Sequence, residues 1–271
     1  MSSSQAGPLR QVKVCFDRCV RGFVNDRGWK TFVSAGIIMV IIGLVMGENT
    51  FVSYYPTKNG AFALVCACIW IGIFNSIRSI CRERDIVRRE HRTGLNLGSY
   101  IAAHWLFEAV MSAIEALIAT VVVVVMSGDH FIEKAVFLPP AVEVYITFLL
   151  IVFSSDALGL LVSSIVRSEN TAMTVMPFVL IVQLVMSGFI FELEGATKTI
   201  SNITVSRWGL DAICASAHLN SMYEPAHGIV VALSEQSSRT SNLLTLWLTL
   251  MGFAVIYAIL AAVALTFVDE G

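Results

Sequence analysis

The chain has 271 residues, of which 56% are hydrophobic and 14% charged, where a soluble globular domain carries about 25% charged residues. That composition excludes an ordinary soluble enzyme or nucleic-acid-binding domain and points to a membrane protein. The formal net charge of −2 hides a strongly asymmetric placement of the basic residues.

In chain order, Leu9, Val12, Phe16, Cys19, Val20 and Phe23 recur at intervals of three and four, with Arg10, Lys13, Asp17, Arg18 and Arg21 between them. This pattern predicts an amphipathic helix with a basic face lying along the inner leaflet, where each Lys or Arg near anionic lipid contributes about 1 kcal/mol. Residues 1–30 thus form a cytoplasmic tail and connecting helix. Six apolar stretches follow, near 31–47, 60–80, 101–127, 141–166, 172–191 and 243–268. A helix crosses hydrocarbon with about 20 residues. Five stretches are long enough, and the first becomes so when Trp29, Lys30 and Glu48 flank it. The expectation is an all-α membrane protein with six transmembrane helices over 31–268.

Of the 18 basic residues, Arg10, Lys13, Arg18, Arg21, Arg27 and Lys30 precede the first span. Arg78, Arg82, Arg84, Arg88, Arg89 and Arg92 crowd the second loop, and Arg167 falls on the same side. Lys58, Lys134, Lys198, Arg207 and Arg239 are spread over the other side. The positive-inside rule then puts both termini of this multi-pass protein in the cytoplasm.

The loop CRERDIVRREHRTGLNLG (Cys81 to Gly98) predicts a helical extension of the second span, a short connecting helix and a Gly-containing turn. Its mixed charges suit either a solvated face or a docking surface. Glu108 and Glu115, seven residues apart, share one face of the third span, and the fourth carries Asp156. Ionisable groups in a bilayer cost at least about 2.5 kcal/mol each and face the bundle interior. Arg78, near the inner end of the second span, is therefore expected to pair with Glu108 or Glu115. The fifth span contains Pro177. Residues 193–242 are too long for a turn and too polar for a span, so an external subdomain of short helices is expected, with apolar patches at Trp208 to Ala217 and His227 to Leu233. Asn202-Ile203-Thr204 is a glycosylation sequon.

Chemistry of other kinds is missing from the sequence. No Gly-Lys pair occurs, hence no phosphate loop. There is no HExxH, GxSxG or CxxC motif, and neither a metal site nor a disulfide framework is expected from the six cysteines. A binding or transport role is better supported than catalysis.

Three stretches carry a resemblance. RERDIVRREHRTG (Arg82 to Gly94) followed by GSYIAAHWLFE (Gly98 to Glu108) places Glu90, Gly94, Tyr100 and Glu108 in a recurring order. SGFIFELEG (Ser187 to Gly195) closes the fifth span, and SRWGLDAI (Ser206 to Ile213) lies in the external loop. Together they resemble the membrane domain of the G subfamily of ATP-binding cassette exporters, within the type-2 permease superfamily, here without a fused ATPase domain. The chain departs from that pattern where His104 stands in place of a common Lys and where Arg78 falls near an often acidic position.

The resemblance implies a dimer, homomeric or with a homologue, whose cavity is lined by Ile71, Phe74 and Asn75 of the second span and by Pro177, Ile181 and Leu184 of the fifth. Phe189 and Ile190 would form an extracellular plug. It also implies an ATPase subunit that carries ATP and Mg and docks on the charged loop, with Glu83, Arg84, Arg89 and Glu90 as coupling residues. This chain itself would bind no cofactor or metal, and its partners would be that ATPase, a second permease copy and membrane lipid, with no nucleic acid. The cargo implied is a hydrophobic or amphiphilic lipid, drug-like compound or modified peptide. Two other readings stay open: a proton-coupled secondary transporter using Glu108, Glu115 and Asp156, and a non-transporting scaffold presenting the external loop.

Overall fold

A computed structural model describes residues 7–46, 50–132, 134–191, 195–222 and 238–269. These residues form ten α-helices and no strand: α1 (Pro8–Asn25), α2 (Trp29–Met46), α3 (Tyr54–Ser76), α4 (Ser79–Arg92), α5 (Leu97–Ser127), α6 (Pro140–Ile165), α7 (Glu169–Val185), α8 (Ala196–Ser201), α9 (Val205–Ser216) and α10 (Thr240–Asp269). Helices α2, α3 (running on into α4), α5, α6 and α10 are long and apolar enough to cross a membrane, and α7 is a shorter apolar helix. The protein is an all-helical membrane protein of the six-span type. Gly47 and Glu48, the expected flank of the first span, and the His227 to Leu233 patch lie outside the described residues.

Two spans differ from their apolar stretches. The stretch 60–80 divides: α3 begins earlier, at Tyr54, and ends at Ser76, and α4 is one separate helix rather than an extension plus a connector. The reason is visible at the junction. The Ser163 hydroxyl of α6 accepts the backbone N–H groups of Ile80 (3.0 Å) and Cys81 (3.1 Å). These are among the first amides of α4, which have no partner within their own helix, so a buried helix start is tolerated there. The fifth span stops at Val185, short of the expected 191, and its 17 residues reach only about 25 Å at 1.5 Å each. Beyond it Gly188 takes a positive φ of 76°, outside the helical region, while the Ser187 hydroxyl donates to the Leu184 carbonyl at 2.7 Å.

Helix α6 is the centre. Most of it is buried, whereas α2 and α10 turn most of their surface outward, and α3, α5 and α10 pack around it. Its polar side chains tie these neighbours together: Ser154 Oγ donates to the Leu250 carbonyl (2.7 Å), Thr147 Oγ1 accepts from Trp247 Nε1 (3.0 Å), and Tyr145 OH donates to the Ala113 carbonyl (3.4 Å). Trp105 Nε1 of α5 donates to the Ala254 carbonyl of α10 at 3.1 Å. In hydrocarbon such groups find no water. Buried Glu143, in the first turn of α6, accepts the backbone N–H groups of Val136 and Phe137, which closes the preceding loop.

The α3–α6 seam depends on small residues. A Cβ on Gly72 would stand 2.5 Å from the Val152 carbonyl oxygen, and one on Gly159 would overlap Ser76 Oγ. Close backbone approach through small residues is how membrane helices gain van der Waals contact when the hydrophobic effect between them is missing. Helices α8 and α9 follow α7, and α9 is buried against α3, α6 and α10. The expected external subdomain is therefore represented, among the described residues, by a helix packed into the bundle end.

Gly159→Val is expected to separate α3 from α6 and cost about 1–3 kcal/mol. Gly252→Val, at a position with open space around it, is the control. A lowered thermal midpoint in detergent for the first variant alone is the expected result.

Candidate functional site

The end of the bundle that holds α1 and α4 is organised by one cation. Arg18 lies on the same face of α1 as Gln11 and buried Cys15, and this face turns toward α4 and α5. Arg18 Nη1 donates to both oxygens of Glu90, at 3.0 and 2.9 Å. Its Nη2 stands 3.3 Å from Glu83 Oε2, and its guanidinium lies over the Tyr100 ring at 5.6 Å. Tyr100 OH donates to Glu83 Oε2 at 3.3 Å. Gln11 adds a second bridge, donating to the Gly94 carbonyl (3.2 Å) and accepting the Asn96 N–H (2.9 Å). Gly94 has φ 111°, a conformation open to glycine at little cost, and so presents that carbonyl.

Burial works against the Arg18 charge, but the Glu90 hydrogen bonds and the Glu83 carboxylate outweigh it and raise the Arg18 pKa. Burial, with Glu83 and Glu108 beside it, pushes the Cys19 thiol up to about 12, and burial also raises Cys15. Both thiols stay protonated and act as packing groups.

This arrangement adds to the sequence reading in three places. Arg18 belongs to an internal clasp and not to a lipid-facing basic face. Glu83 and Glu90, expected as coupling residues, hold Arg18 through their carboxylates. Arg84 also points inward, donating from Nη1 to the Val166 carbonyl at the end of α6. Of the four expected coupling residues Arg89 is exposed, with its Nε donating to the Asp85 carbonyl at 3.2 Å. Arg82, also exposed, pairs with Asp26 at 2.7 Å and joins α4 to the end of α1. Leu9, assigned to the apolar face of α1, is exposed, while Phe16 and Phe23 pack edge-on against Phe107 of α5.

The three intramembrane acids are all buried. Ser79 Oγ donates to Glu108 Oε1 (3.4 Å), Asn75 Nδ2 to Glu115 Oε1 (2.5 Å), and Ser112 Oγ to Asp156 Oδ2 (2.6 Å). The acids thus join α3, α4, α5 and α6. The expected pair with Arg78 does not form. Arg78 is exposed and lies over the Phe74 ring at 5.7 Å, because the break between α3 and α4 turns it outward. Ser79 and Asn75 supply neutral donors in its place.

The expected cavity residues divide. On α7, Pro177 and Ile181 are exposed and Leu184 is half-buried. On α3, Phe74 is half-buried, but Ile71 is buried in the core and the Asn75 amide is turned toward Glu115. The open face of α3 instead runs through Tyr55, Asn59, Phe62, Cys66, Trp70 and Phe74. At its far end Phe189 stacks on Phe62 with ring centroids 4.2 Å apart and planes 8° from parallel, while Ile190 is exposed. The sequence reading missed Trp70 and Phe62 because α3 is apolar all round and carries no periodic signal of its orientation. Gln11 carried no chemical signal at all.

Comparison with known proteins identifies a family. A family model described as ABC-2 type transporter matches residues 10–217 of the chain. The ABC transporter ATP-binding/permease protein Rv1747 of Mycobacterium tuberculosis is 27% identical over 224 residues, covering 78% of this chain and 26% of that protein. The chain therefore spans about a quarter of the length of that relative.

If Arg18 holds α1 to α4, a double-mutant cycle with Arg18→Ala and Glu90→Ala should give a coupling of about 1 kcal/mol in thermal or chemical unfolding, since the pair is charge-assisted but partly exposed. The exchanged pair, Arg18→Glu with Glu90→Arg, should recover part of the loss. Strict additivity would show that the clasp holds nothing.

Proposed function

The chain belongs to the ABC-2 type transporter family, and from that premise we propose that it is the permease subunit of an ATP-driven exporter of a hydrophobic or amphiphilic substrate. Its role is transport and not ATP hydrolysis. The motor is an ATP-binding cassette ATPase subunit, which carries ATP and Mg and docks on the outer face of α4. Two permease copies, or one copy and a homologue, face each other across the open sides of α3 and α7. The termini, α1 and α4 lie on the cytoplasmic side.

One observation carries this reading. Helix α4 is fastened to α1 through Arg18 and Arg82, to α5 through Tyr100 and to α6 through Ser163 and Arg84, while its outer face stays exposed at Asp85, Ile86, Arg89 and Arg92. A push from a docked motor on the outer face reaches three helices without bending α4. The apolar open faces of α3 and α7 suit an apolar cargo, and Phe189 stacked on Phe62 suits a plug between that path and the exterior.

A second reading has one observation in its favour. Among the described residues, Glu115 Oε2 and Asp156 Oδ1 are buried without a hydrogen-bond partner, as suits an intramembrane proton relay in a secondary transporter. Transport driven by a proton gradient with no ATPase present would select it.

The exporter reading is tested by purifying the permease with its associated proteins and reconstituting the complex. The expected result is a co-purifying phosphate-loop ATPase whose hydrolysis depends on the permease. Arg89→Glu with Arg92→Glu should cut that association about 5- to 30-fold, if each lost charge pair contributes about 0.5–1 kcal/mol. Undiminished association would remove the outer face of α4 as the dock, and absence of any ATPase would remove the exporter reading.

A further inference from the structure

The open face of α3 is bracketed by two cations. At one end the Lys58 ammonium lies 6.0 Å from the Phe189 ring, which stacks on Phe62, and 5.9 Å from the Tyr54 ring. At the other the Arg78 guanidinium lies 5.7 Å from the Phe74 ring. Each cation thus rests on an aromatic at or beside the end of that face. Neither forms an ion pair with a carboxylate among the described residues, although Glu108 bonds Ser79, the residue next to Arg78. Between the cations the face is apolar, with Phe62, Cys66, Trp70 and Phe74, and Trp70 is 47% exposed. From Lys58 to Arg78 is about 30 Å at 1.5 Å per residue, which matches the thickness of hydrocarbon in a bilayer.

We propose that this face selects amphiphiles with an anionic head, received at Arg78 on the cytoplasmic side and delivered at Lys58 on the outer side. The proposal rests on reading the open α3 and α7 faces as the cargo path, and it names the class of cargo. The charge pattern provides the argument. A cation over an aromatic face retains most of its capacity for an anion, because the ring contact replaces water without neutralising the charge. An ion pair with Glu108 would have cancelled Arg78. The fold instead gives that glutamate a serine hydroxyl and leaves the arginine charge on the open side. An apolar stripe between two such cations fits a lipid-like body whose anionic head has a resting place at each membrane surface. It offers nothing to a cationic drug.

Trp70, midway along the face, provides the readout. The full-length permease is placed in nanodiscs of phosphatidylcholine, and brominated phosphatidylglycerol or brominated phosphatidylcholine is titrated in. Subtracting the quenching of Trp70→Phe isolates the Trp70 signal from the other four tryptophans, of five in all. The anionic lipid is expected to reach half-quenching at a mole fraction about fivefold lower than the neutral one for each cation engaged. Lys58→Gln and Arg78→Gln should each reduce that preference, and the double variant should abolish it, while Lys58→Arg should retain it.

Equal quenching by the two lipids, or a preference unmoved in the double variant, would make the cations mere interface anchors and overturn the proposal. Shielding of Trp70 from both lipids would identify the face as a seam between permease copies and overturn it as well. The nanodisc measurement needs no motor. A complex that couples ATP hydrolysis to the permease without anionic preference would sink this inference alone, whereas preference without any associated ATPase would sink the exporter reading alone.

Discussion

Hydrocarbon contains no water, so polar groups within the spans are driven to find partners in protein. The rest of this structure depends on how α6 meets that demand. Its serines and threonine bond to their own helix or to α4 and α10, its Asp156 bonds to Ser112 of α5, and its Gly159 lets α3 approach to backbone contact. A helix of that composition is a poor candidate for exposure to lipid and a good one for a hub. Once α6 is central, α3, α5 and α10 are placed around it. Helix α7 then has few neighbours within one chain and remains open.

The same constraint explains how α4 is held. Helix α4 begins buried, with its first amides held by Ser163, and ends beside the Arg18 clasp. Between those points it has no covalent freedom beyond its two short connections. Displacing it as a rigid rod must therefore move Ser163 on α6 or break contacts worth about as much as a charge-assisted hydrogen bond each. Coupling between an outer motor and an inner path needs a contiguous set of packed groups with two arrangements. The acid cluster under Ser79 lies directly on that line, because Ser79 starts α4 and bonds Glu108 of α5.

The fold was largely legible in the sequence because long apolar runs are the strongest signal a chain carries. Spans α2, α5, α6 and α10 fall close to their runs. The limits of α3 and α7 did not, since the break at Ile77 and Arg78 is made by a serine on another helix and the end of α7 by a glycine turn. Sites were legible in type but not in direction. Amphipathic spacing named Arg18 as basic and Glu83 and Glu90 as acidic, yet could not say that they would find one another across 65 or more residues of chain. Likewise, a helix apolar on all sides does not reveal its rotation. The family resemblance placed Ile71 and Asn75 on the open face, and no periodicity in α3 could show that this face runs through Trp70 and Phe62 instead.

The two halves of the molecule thus differ in how their charges are handled. At the clasp, Arg18 faces two carboxylates, and its charge is spent on joining α1 to α4. On the open face of α3, Lys58 and Arg78 rest on aromatic rings, where contact preserves the charge for an outside partner. The acids that were available to neutralise Arg78 are engaged by Asn75, Ser79 and Ser112. Neutral donors hold the acids without burying an arginine charge beside them, and a buried ion pair would not by itself have added stability, because taking both charges out of water can cost more than their attraction returns. Keeping them apart makes physical sense where the cation faces a path and the acids link the helices behind it.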